Sequence, residues 1–170
     1  MATDLAPTSH AQRALWFLHR WDGPSPTYNM PFALRLTGTP DETALRLAVA
    51  DVAARHDILR TVLEPLDGLP YQRVEPEWTG DLAVADVAGH ELEERIRQAV
   101  ARPYDLERET PWGVWLLRTE RGGALLLFVL HHVLADRWSF TVLARDLHVA
   151  YGARLAGGPP VWPATAPRYG

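Results

Sequence analysis

Leu125-Leu126-Leu127-Phe128-Val129-Leu130-His131-His132-Val133-Leu134-Ala135-Asp136-Arg137-Trp138-Ser139 sets two adjacent histidines and an aspartate directly after six apolar residues. The apolar run is short, leucine-rich and preceded by the Gly122-Gly123 turn signal. It therefore reads as a strand buried on both faces rather than as a helix. The histidines stand where that central strand ends. Successive strand side chains point to opposite faces, so one imidazole can face a cavity while its neighbour packs or hydrogen-bonds behind it. The competing reading is a satisfied core histidine, because buried polar groups also arise for structural reasons.

Working outward, Ser9 can cap a first helix over 11–20, in which apolar residues recur at helical spacing. Trp21 to Pro26 is loop chemistry, and a strand is expected from about Phe32 to Thr37. Asp41 caps a helix over 42–56, whose Leu45, Val49, Val52 and Ala53 form one buried stripe. That helix runs into Asp57 to Leu63, which is expected to pair as a hairpin with a strand at Tyr71 to Val74 across the Asp67-Gly68 turn. From Glu77 to Gly89 no chemistry is legible. Glu91 to Arg102 reads as a charged helix ended by Pro103, and Trp112 to Leu117 as a strand. Phe140 to Leu155 is an amphipathic helix, stopped by Gly157-Gly158-Pro159-Pro160. These elements predict an α/β (α+β) fold in which helices flank a central mixed sheet.

At 170 residues the chain can form one domain that buries about two-thirds of its unfolded surface. It has no cysteine, which excludes a disulfide framework, thiolate ligands and a cysteine nucleophile. The net charge is -4, with arginines and carboxylates interspersed, so no basic stripe for nucleic acid forms. All 17 basic side chains are arginine, which removes any Schiff-base lysine. Neither a signal peptide nor an apolar stretch long enough for a membrane span is present, and a cytoplasmic location is expected. A metal site on His131 and His132 is discounted because adjacent strand positions diverge. The seven tryptophans read as packing and cleft walls.

His131-His132-x-x-x-Asp136 resembles the HHxxxDG signature of the condensation domains of nonribosomal peptide synthetases, within the chloramphenicol acetyltransferase-like superfamily. Arg137 stands where that signature has glycine. Three further stretches are similar to motifs of the same family, in the same order: Ser9-x-Ala11-Gln12-x-x-Leu15-Trp16-x-Leu18, Arg55-His56-Asp57-x-Leu59-Arg60-Thr61 and Pro103-Tyr104-Asp105-Leu106. Around Gly113 and Trp115 the family usually carries an arginine that this sequence lacks.

The resemblance implies that residues 1–158 form the N-terminal lobe of a condensation domain, and 159–170 a Pro/Ala-rich tail toward a C-terminal lobe not in this sequence. It implies amide bond formation between two thioesters carried on the phosphopantetheine arms of donor and acceptor carrier proteins, with an adenylation domain downstream and no cofactor bound by the chain itself. By the same resemblance His132 is the catalytic imidazole, with His131 packed behind it and Asp136 supporting the loop. A buried arginine needs a carboxylate partner, so Asp136 is expected to pair with Arg60 or, failing that, Arg55. Arg137 lies at the tunnel mouth. A non-catalytic member of the family, which docks carrier proteins or a partner enzyme, is the alternative reading.

Overall fold

Leu126 to His131 are all buried in the computed structural model, which describes residues 5–120 and 122–162. The apolar run lacks alternation because both of its faces are covered. Strand β7 (Gly123–His131) lies inside a four-stranded sheet of order β2-β7-β6-β5, formed with β2 (Asn29–Thr37), β6 (Trp112–Thr119) and β5 (Leu82–Val87). On one face Leu126, Phe128 and Leu130 join the main core with Leu45, Val49, Leu143 and Leu147. On the other, Leu127 and Val129 pack with Ala99 and Tyr104.

The helices form where their caps and stripes direct. Helix α1 (His10–Asp22) starts from a capping box: Gln12 N–H donates to Ser9 Oγ, and Ser9 N–H donates back to Gln12 Oε1. Asp41 caps α2 (Glu42–Arg55) through Ala44 N–H at 2.8 Å. Helix α3 (Leu92–Val100) crosses between β5 and β6, the one parallel pair of the sheet. Helix α4 (Ser139–Leu155) buries Leu143, Asp146, Leu147 and Ala150 against α2.

Four details depart from the expectations. A second sheet, of order β1-β4-β3, combines β1 (Leu5–Pro7) with the expected hairpin of β3 (Thr61–Leu66) and β4 (Leu69–Val74). Residues Asp57–Arg60 form a 3-10 turn rather than the first part of β3. The strand expected from Phe32 begins three residues earlier, at Asn29. The stretch from Glu77 to Gly89 holds β5. Of the expected tail, 163–170 lie outside the described residues, while Trp162 packs against the main core and its ring lies 4.5 Å from the Arg55 guanidinium.

Candidate functional site

The end of β7 is pinned on both sides. His131 N–H donates to Pro111 O at 2.9 Å, and His132 N–H donates to Tyr28 O at 2.8 Å. The chain then turns, with Leu134 N–H returning to His131 O at 3.0 Å. This backbone places the two imidazoles in opposite environments: His131 is 4% exposed, whereas His132 is open to solvent.

Their tautomers are opposite as well. His131 Nδ1 accepts the Val133 N–H at 3.1 Å, so the neutral ring carries its proton on Nε2. His132 Nδ1 lies 3.0 Å from Ala135 O. A carbonyl only accepts, so this Nδ1 carries the proton and the lone pair is on Nε2. The exposed histidine thus presents a basic nitrogen held by a backbone bond on the far side of the ring. The buried histidine has its lone pair already occupied.

His131 borders a cavity of about 60 Å³ lined also by His19, Asp22 and Tyr28. Burial first, and then the charges on His19 and His132, push its pKa down from 6.5 to about 4. Folding therefore keeps His131 neutral at pH values where the unfolded chain would protonate it. Its stabilising contribution is complete above pH 6.5 and is lost as the pH falls toward 4. We expect acidification across this window to cost the parent about 2–3 kcal/mol more than it costs His131→Asn. Urea titrations of both proteins at neutral and acid pH measure the difference, and parallel losses would remove His131 as the cause.

Asp136 pairs with neither Arg60 nor Arg55, which corrects the expected bridge. It is exposed and closes the turn that leads into α4: its Oδ1 accepts Ser139 N–H at 3.0 Å and Ser139 O–H at 2.8 Å, while its own N–H donates to Ser139 Oγ at 3.1 Å. The side-chain bond from Ser139, followed by the backbone one, lowers the pKa of its carboxyl below the ordinary value. Its part is local, as the cap of a turn four residues beyond the catalytic candidate. Arg60 is held by backbone carbonyls, because the 3-10 turn folds it back onto the end of α2. It donates to Ala53 O at 3.2 Å, to Glu75 O and to Pro76 O at 3.2 Å, and it bridges Asp57 at 2.7 Å.

The carboxylate beside Arg55 is Asp146, which the sequence reading had not singled out. Arg55 Nε donates to Asp146 Oδ2 at 2.8 Å and His56 Nε2 donates to the same oxygen at 2.8 Å, while Arg145 takes Oδ1 at 3.0 Å. The signal was an acidic residue inside the apolar stripe of α4, at helical spacing from Leu143 and Ala150. Gln12 is a second buried polar residue to which the sequence gave no role, and its place one turn before the buried Trp16 in α1 is the comparable signal.

Arg137 is exposed and makes no ion pair among the described residues. Asp67 is the one non-glycine residue with positive φ among them, so the backbone at 137 requires no glycine. A Cβ on Gly113 would lie 2.6 Å from the Trp115 ring. Beside it runs a cleft of about 570 Å³ walled by Trp78, Trp112 and Trp115, in keeping with the expected part of the tryptophans. Among the described residues no cluster of three His, Cys, Asp or Glu side chains could hold a metal ion. No helix among them is long and apolar enough to cross a membrane.

An outward-facing imidazole at the end of a buried strand, reached through four ordered motifs, agrees with the comparison to known families: the condensation-domain family model matches residues 2–170. The chain belongs to the condensation-domain family. It is 49% identical over 159 residues to a probable non-canonical nonribosomal peptide synthetase, CymA, of Salinispora arenicola, and that match covers 94% of this chain and 2% of the relative. It is 43% identical over 161 residues to the isonitrile lipopeptide synthase of Mycobacterium tuberculosis, covering 92% and 6%. This chain thus spans a small fraction of the length of its curated relatives.

Among solved structures, the X-domain from teicoplanin biosynthesis in complex with OxyB superposes with a TM-score of 0.90 at 31% identity, over 99% of this chain and 37% of that one. The first condensation domain of the calcium-dependent antibiotic synthetase, with a substrate analogue, gives 0.85 at 23% identity, over 95% and 40%. The latter likeness is one of fold. The mixed sheet flanked by helices is the fold of these lobes, as the sequence implied.

Proposed function

We propose that this chain is the histidine-bearing, N-terminal lobe of a condensation domain that joins two carrier-bound thioesters through an amide bond. The observation that carries the reading is the His132 tautomer: with Nδ1–H bound to Ala135 O, the exposed Nε2 is free to take a proton. The acceptor amine attacks the donor thioester carbonyl, a C–N bond forms and the C–S bond breaks. The proton lost by nitrogen passes to His132 Nε2 and from there to the leaving thiolate. His131 is the neutral support behind it, and Asp136 holds the turn into α4. The partners are the two carrier proteins, whose phosphopantetheine arms present the thioesters, and a C-terminal lobe that closes the tunnel.

The test is amide formation between loaded donor and acceptor carriers, run on this chain alone and on the full-length protein with both lobes. Product is expected only with the second lobe, because positioning of both thioesters requires it. Product from this chain alone would overturn the two-lobe requirement. A docking module is the second reading, favoured by the likeness to an X-domain that was solved in complex with another protein. Full-length protein that binds carriers but makes no amide would establish it. Because Arg137 is exposed on an ordinary backbone, Arg137→Gly in the two-lobed protein is expected to stay within about twofold of the parent. A large gain in rate would show instead that Arg137 obstructs the arm.

A further inference from the structure

We propose that Gln12 is the positioning residue of the histidine loop, a role that rests on the amide-forming reading of His132. Val133 is the joint between the two histidines and the rest of the loop. Its N–H donates to His131 Nδ1 at 3.1 Å. Its carbonyl accepts the Gln12 Nε2 proton at 3.2 Å, across 121 residues of sequence. Both backbone polar groups of one residue are thus held, the N–H by an imidazole and the carbonyl by a carboxamide, directly after His132.

Gln12 is suited to the task because it is itself immobilised. It is 3% exposed. Its Oε1 accepts Ser9 N–H at 2.9 Å, and its Nε2 also reaches Gln72 Oε1 at 3.4 Å. Gln72 in turn donates to Pro7 O at 2.9 Å, so the carboxamide chain ties β1 and β4 to the loop. Both hydrogens of the Gln12 carboxamide and its oxygen are used, which fixes the side-chain flip as well as its reach. If the Val133 carbonyl loses this donor, the Val133–Leu134 peptide can rotate. Rotation carries the Leu134 N–H of the same peptide away from His131 O, which it meets at 3.0 Å, and swings the turn through Ala135, the carbonyl that selects the His132 tautomer. The inference gives the first helix a part in the chemistry without any contact with substrate.

The experiment uses the full-length protein with both carriers and three variants. Gln12→Met keeps the length but donates nothing. Gln12→Glu can donate to the Val133 carbonyl only when protonated. Thr8→Val removes a neighbouring buried bond, from Thr8 to Pro70 O at 3.0 Å, and leaves the loop untouched. We expect Gln12→Met to lower kcat about 10- to 100-fold with KM for both carriers unchanged, the scale of a small misplacement at a reacting centre. The ¹⁵N resonances of the His132 ring and of the Leu134 amide should shift with it. Gln12→Glu should regain rate as the pH falls, and Thr8→Val should match the parent. Parent kcat and unshifted imidazole resonances in Gln12→Met would overturn the proposal, as would an equal loss in Thr8→Val. Should Gln12→Met fail to fold, a flat pH response relative to the parent in Gln12→Glu overturns it instead. A parent that forms no amide would sink the functional reading, and the His132 and Leu134 resonances would then decide the role of Gln12 alone.

Discussion

Replacing Asp146 with alanine is expected to cost about 3–5 kcal/mol of stability, the range for removing one side of a buried charge cluster. The carboxylate is fully buried, at 0% exposure. Burial by itself would raise its pKa, but the bonds from His56, Arg145 and Arg55 prevail and hold it below the ordinary value, so it is ionised in the fold. Truncation takes that charge from beneath Arg55, whose side chain is 6% exposed, and removes one of the polar ties between α2 and α4. Asp136→Ala, by contrast, removes only an exposed cap and is expected to cost about 1 kcal/mol. Thermal melting separates the two: about 10 °C or more is expected for Asp146→Ala and a few degrees for Asp136→Ala. Equal losses would mean that the buried cluster does not govern the stability of the lobe.

His132→Ala in the two-lobed protein is expected to reduce amide formation by about 10²- to 10⁴-fold, the usual contribution of a positioned general base. Little else should change, because the side chain is exposed and its one hydrogen bond among the described residues is to Ala135 O. Melting temperature and carrier binding should stay near those of the parent. A single-turnover assay with both carriers loaded keeps product release from masking the chemical step. If the variant retains the parent rate, His132 is not the proton acceptor. His131→Asn is a separate case: its effect on rate, if any, should travel with the melting temperature, since that ring is part of the core.

Much of this was legible because period and punctuation agreed. Ser9 and Asp41 stood before helical stripes, Gly122-Gly123 stood before an unalternating apolar run, and each signal has a local physical cause. The histidine motif located the site for the same reason. What the sequence hid was pairing at a distance. The Arg55-to-Leu63 stretch named two arginines but not what they would meet, and Asp136 was the conspicuous acid. Asp146 has its partners on α2, so its role follows only from the packing of α4 against α2. β5 was missed because Leu82-Ala83-Val84-Ala85-Asp86-Val87 is weakly apolar and forms an edge, where its identity as a strand comes from pairing with β6. Arg60 was misassigned because a 3-10 turn and a strand start share one residue pattern over four positions.

The order of strands in the central sheet also has a consequence during synthesis. β2 lies at the edge, and its neighbour in the sheet is β7. Every register pair of that strand, from Asn29 with His131 to Thr37 with Gly123, joins segments made far apart in time. At about 5–20 residues per second, a nascent β2 waits roughly 5–20 seconds for the strand that covers it. Throughout that interval Met30, Phe32, Leu34 and Leu36, which pack against the core in the finished lobe, have no sheet to join. Premature termination anywhere before residue 123 would leave these side chains exposed. The histidine site is therefore among the last parts of the lobe to exist, assembled only when the earliest long strand meets the latest.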